Sequence, residues 1–187
     1  VLPSRALRRV PWLAAVGILA ALALPSLGGH AWTASPVGLA VASDALHVLA
    51  AAAWVGALGV LVLSWDGTRE RAAAFSRMAL VAAPLTVATG VLNTALQERS
   101  LSALTDTTHG RLVLAKALGT VALLAFGWVH RRQLAATARW SARVLRTYRA
   151  EVVVGLAVVA VTAVLVGTPP GREAARSAEP VQMVKQA

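Results

Sequence analysis

The chain contains no cysteine, which excludes disulfides and thiolate metal sites and leaves His, Asp, Glu, Met or backbone groups to take any metal. Charge is also scarce. Only 14% of the 187 residues are Asp, Glu, Lys or Arg, and only eight of these are acidic, against 57% apolar residues. Soluble domains carry about a quarter charged residues, so this composition excludes a water-soluble globule. Methionine occurs twice, as Met78 and Met183. No Ser-His-Asp, metalloprotease or phosphate-loop motif is present, and nothing resembles an ATP-binding domain, so the sequence offers no ground for an enzyme.

What the chain has instead is long apolar runs, at about 11–28, 37–65, 72–96, 110–130 and 151–168. Each comes near or above the ~20 residues that a helix needs to cross a ~30 Å hydrocarbon layer. The predicted fold is an all-α, polytopic transmembrane helical bundle of about five spans over residues 1–168. Residues 169–187, opening on Pro169-Pro170-Gly171, read as a disordered tail. The first run lacks a small-x-small cleavage site at the right distance and is read as a span, not a signal peptide. Pro25 and Pro84 lie inside apolar runs and predict kinks.

The net charge of +10 does not mark a nucleic-acid binder, because it follows the loops. Twelve of the eighteen Lys and Arg residues precede the first span or lie in the 66–77 and 131–149 connections. By the positive-inside rule these segments are cytoplasmic and the tail is extracytoplasmic. Arg139, Arg143 and Arg146 share one helical face beside Trp140, Val144 and Tyr148, which predicts a short cytoplasmic interfacial helix.

With that orientation most polar residues fall in the outer half. His30 closes the first span and His109 opens the fourth; Asn93 lies near the outer end of the third, and Lys116 about two turns into the fourth. Asp44, His47, Ala51, Trp54 and Leu58 follow a 3-4-3-4 spacing on one face of the second helix. A charged group at mid-membrane costs roughly 2.5 to 3.5 kcal/mol on insertion scales, so Asp44 and His47 read as functional by default. Imidazole is a common ligand of copper and other divalent metals, and a carboxylate can orient its ring. A metal site from His47, His30 and His109, with Asp44 supporting, is one reading. Ordinary caps for His30 and His109, and an interhelical hydrogen bond for Asp44 and His47, is the other. Lys116 is expected to pair with Asp44 or Asn93, mid-span Trp54 to pack, and His130 to be interfacial.

Gly29-His30-Ala31, Asp44-Ala45-Leu46-His47 leading to Ala53-Trp54-Val55-Gly56, Phe75-Ser76-Arg77 with Thr89-Gly90-Val91, His109-Gly110-Arg111 through Lys116, and Thr168-Pro169-Pro170-Gly171-Arg172 occur in that order. Together they resemble the copper resistance D family. The resemblance implies a multi-pass protein of the bacterial cytoplasmic membrane, usually of about eight spans, of which this sequence looks like the C-terminal five. It implies copper as the transported ion, in uptake, homeostasis or resistance, and a periplasmic CopC-like copper-binding domain or protein as a partner beside the lipid bilayer. Scarce methionine argues against a methionine ladder and leaves histidine as the main ligand. Two other readings remain: a b-haem electron-transfer protein, requiring two histidines at one depth on facing helices, and a non-catalytic scaffold built on close-packing glycines.

Overall fold

The computed structural model describes residues 34–66, 68–97, 102–136 and 142–168. The predicted first span, Pro25, His30 and the tail lie outside them. Five helices are present: α1 (Val37–Leu63), α2 (Arg69–Gln97), α3 (Ala103–Asp106), α4 (Thr108–Ala136) and α5 (Ala142–Val166). No strand occurs among the described residues. Four helices, Val37–Leu63, Arg69–Gln97, Thr108–Leu134 and Val144–Val166 by their apolar stretches, are long and apolar enough to cross a membrane. Helix is the only open-ended way to satisfy every backbone N–H and C=O in hydrocarbon, which is why the Ala-, Val- and Leu-rich runs adopt it.

A short connection folds α2 back along α1. The Asp66 carboxylate accepts from the Thr68 hydroxyl at 2.7 Å and from the Thr68 N–H at 3.0 Å, and pairs with Arg71 at 2.9 Å. Those hydrogen bonds, and then the arginine, hold this exposed carboxyl below the usual carboxylate range. Helices α4 and α5 form the second hairpin, and the two hairpins join through α1 against α5 and α2 against α4. Each long helix thus packs on two others. The contact of α4 with α5 is close at Gly119, where a Cβ would collide with the Val158 side chain.

The core holds Trp54, Leu58 and Leu61 from α1, Phe75, Ala82 and Ala83 from α2, Leu123 from α4 and Tyr148 from α5. Outside it, Leu63, Val81 and Leu118 are 90%, 70% and 71% exposed. Apolar surface of this extent is costly in water and unremarkable in lipid, so the protein is a multi-pass membrane protein.

Two details depart from the sequence reading. No separate interfacial helix forms from Ala142 onward: the chain from there to Val166 is one helix, with Arg146 and Arg149 exposed on its opening turns. Neither Pro nor Gly interrupts residues 142–154, so nothing in the backbone separates a surface helix from the span. Arg139 and Trp140 lie outside the described residues. The other departure is α3, a single turn before α4 that carries no apolar periodicity. Helix α2 continues through Pro84, which faces outward, while Thr86 and Thr89 return their hydroxyls to the carbonyls of Ala82 and Leu85 at 2.8 and 2.6 Å.

Candidate functional site

His47 enters the bundle from α1 and is 8% exposed. Its Nδ1 lies 2.9 Å from the Thr86 carbonyl oxygen and 3.1 Å from the Thr89 hydroxyl, both on α2. A carbonyl only accepts, and the Thr89 hydroxyl already donates to the Leu85 carbonyl, so Nδ1 is the protonated nitrogen and donates to both oxygens. In the neutral ring this fixes Nε2 as a bare lone pair, the form in which imidazole binds a metal. No described residue hydrogen-bonds to Nε2. Gly90 makes room for the ring: a Cβ there would sit 3.1 Å from His47 Cε1. Ser43, one turn before His47, approaches the Thr89 carbonyl at 3.5 Å.

Asp44 does not orient the imidazole; the two threonines do. The carboxylate instead meets the Asn93 amide, Nδ2 to Oδ1 at 3.4 Å. The Lys116 ammonium acts electrostatically on both Asp44 and His47, without a direct ion pair to Asp44. Helices α1, α2 and α4 therefore bring Asp44, His47, Asn93 and Lys116 into one polar neighbourhood, in which the one positive and one negative charge balance.

His109, in the first turn of α4, is 5% exposed and sits at the same end of the bundle as the start of α1. Its Nδ1 reaches the carbonyl and the hydroxyl of Thr168 at 3.2 and 3.1 Å, and that hydroxyl donates to the Leu165 carbonyl at 2.8 Å. The arrangement repeats that at His47: one carbonyl and one committed threonine hydroxyl fix the ring through Nδ1. Trp54 packs in the core, 4% exposed. Among the described residues no three His, Asp or Glu side chains converge on a metal-sized space. His47, His109 and His130 occupy three separate hydrogen-bonding environments.

His130, expected at the interface, is 3% exposed, with Nδ1 2.9 Å from Oε2 of Glu151, itself fully buried. Nε2 contacts the Thr147 hydroxyl at 2.9 Å, and the ring stacks on Tyr148 with centroids 3.8 Å apart. Burial results because α4 and α5 meet along this stretch, while the neighbouring Arg131 and Arg132 point outward. Glu151 escaped the sequence reading because it stands at the edge of an apolar run, where a carboxylate looks like a span boundary. Its spacing from Thr147 and Tyr148, four and three residues, was the usable signal. Thr86 and Thr89 were equally readable, since with Asn93 they form an i, i+3, i+7 stripe on α2.

No solved structure matches the chain. A curated relative, the copper transport protein CutJ of Bacillus subtilis (strain 168), is 29% identical over 154 residues, covering 75% of this chain. The chain spans 27% of that relative's length. The model of the family described as copper resistance protein D matches residues 69–165, the stretch holding the α2 threonines, His109, Lys116, His130 and Glu151. That match takes in more than half of the sequence, and the chain belongs to the copper resistance protein D family.

Proposed function

We propose that this chain is the membrane part of a copper-handling protein that passes copper ions across the bacterial cytoplasmic membrane, and that His47 receives the ion. The observation that carries the reading is the fixed tautomer of His47: Thr86 and Thr89 occupy Nδ1, which turns Nε2 into a ligand nitrogen inside a membrane-spanning bundle. Family membership and the name of the CutJ relative supply copper as the ion. Asp44 and Lys116 cancel in charge, so a cation arriving at a neutral imidazole meets no net repulsion. His109 serves as the entry at the mouth of the bundle, His30 is a further ligand, Asp44 supports the site through its charge, and a CopC-like periplasmic protein or domain delivers the metal. Transport, not catalysis, is the activity.

The test is copper uptake by cells expressing the full-length protein with His47→Ala. Losing one ligand of a few should weaken metal handling by at least the 10- to 100-fold that accompanies loss of a mere outer-shell partner. A well-expressed His47→Ala protein with normal copper accumulation and tolerance would replace this reading with the scaffold one. Orientation has its own test in the cysteine-free background. Ser35→Cys and Glu70→Cys, both at exposed positions, should react with an impermeant thiol reagent in intact cells at 35 and only after permeabilisation at 70. The reverse pattern would put the His47 end in the cytoplasm.

A further inference from the structure

The buried pair at the arginine-rich end plays no part in the reading above, and its chemistry is well defined. The Thr147 hydroxyl donates to the Val144 carbonyl at 2.7 Å, so toward His130 it can only accept, and Nε2 of His130 must carry a hydrogen. Nδ1 and the Glu151 carboxylate, 2.9 Å apart, are left to share one proton. Imidazolium beside carboxylate and imidazole beside carboxylic acid are both neutral overall, and neutrality is what a group removed from water demands.

The pair is poorly built as a brace. Beyond the contact with His130, Glu151 Oε1, Tyr148 Oη and Gln133 Oε1 are buried without hydrogen-bond partners among the described residues. Structural polar networks are normally satisfied throughout. Nor do the described residues add a third His, Asp or Glu to make a metal site. What remains suits a site where a proton arrives and leaves, one of the standard reasons for an ionisable pair inside a membrane.

The charges around it are few. On α5 the Tyr148 ring stacks on His130, and Arg146 and Arg149 are exposed. From α4 come the exposed Arg131 and Arg132. Helix α2 offers Arg69, bound to the Leu134 carbonyl at 2.7 Å, and the exposed Glu70, Arg71 and Arg77. The only titratable groups of α1 are Asp44 and His47, toward its other end.

We propose that His130 and Glu151 form a proton-binding site that gains and loses one proton during the transport cycle, so that copper movement is coupled to proton movement. This rests on the transport reading. The step releases one proton from the neutral pair to water, leaving a neutral imidazole and a carboxylate; uptake of one proton restores the pair.

The test uses the full-length protein in lipid vesicles, with copper added outside and both internal copper and internal pH followed. The wild-type protein should move protons only when copper is present. Glu151→Gln, nearly isosteric, should reduce the copper-linked proton signal to that of protein-free vesicles and make copper entry insensitive to an imposed pH gradient. A wild-type proton signal in Glu151→Gln would overturn the proposal. If wild-type vesicles admit no copper, the transport reading fails, and the proton site is judged on infrared difference spectra of the same vesicles as the pH is stepped. A carboxyl band present in the wild type and absent in Glu151→Gln supports the site; identical spectra overturn it. Should Glu151→Gln fail to fold, His130→Gln takes its place: a shifted carboxyl band supports the site and an unshifted one overturns it.

Discussion

His47 and His130 are buried to a similar degree, 8% and 3% exposed, yet their neighbours make them different chemical objects. His47 donates through Nδ1 to a carbonyl and a threonine hydroxyl, and no described residue hydrogen-bonds to its Nε2. His130 has a hydroxyl on one nitrogen, a carboxylate beside the other and a tyrosine ring against its face. The first histidine meets only uncharged oxygens at its bonded nitrogen, while the second has a carboxylate oxygen beside one of its nitrogens. On α4, the 21 residues from His109 to His130 span about 32 Å, the full hydrocarbon thickness, so these two buried histidines lie at opposite ends of the bundle. What the contrast teaches is that the partner atoms, not the residue type or its burial, assign a membrane histidine its chemistry.

The sharpest way to break the comparison is His130→Ala. It leaves the Glu151 carboxylate buried and unpaired, for which about 3–5 kcal/mol of destabilisation is expected, whereas His47→Ala leaves only Thr86 and Thr89 oxygens that already have helical partners and should cost about 1 kcal/mol. Unfolding of the two variants in the same detergent measures this; equal losses would mean that the two histidines are held alike. Next in size is Gly90→Val. Its branched side chain enters the space of the His47 ring and should cost about 1–3 kcal/mol by overpacking while reducing copper uptake with His130 undisturbed. An unchanged uptake would show that ring position at His47 is unimportant. The smallest effect belongs to Thr89→Val, which removes one of two acceptors at Nδ1 and should cost about 0.5–1.5 kcal/mol. Because Thr86 still fixes the tautomer, its copper uptake should fall far less than that of His47→Ala, and a loss as large would make the hydroxyl, not the imidazole, the critical group.

The sequence by itself determined that this is an all-helical membrane protein, because apolar runs of span length leave a lipid-facing backbone no alternative to helix. It also singled out Asp44 and His47, since an ionisable pair inside such a run is costly wherever the helix turns. Residue order alone carried the family likeness. It left His130 without its Thr147 and Glu151 partners, and it passed over Glu151, because facing depends on how α4 and α5 rotate against each other. Only the tertiary structure decided that threonines, not Asp44, orient His47, and that Gly90 leaves room for its ring. Polar side chains inside an apolar run mark a face that is turned away from lipid. Which atoms meet there, and so which nitrogen carries the proton, is set by groups 17 to 59 residues away in the chain.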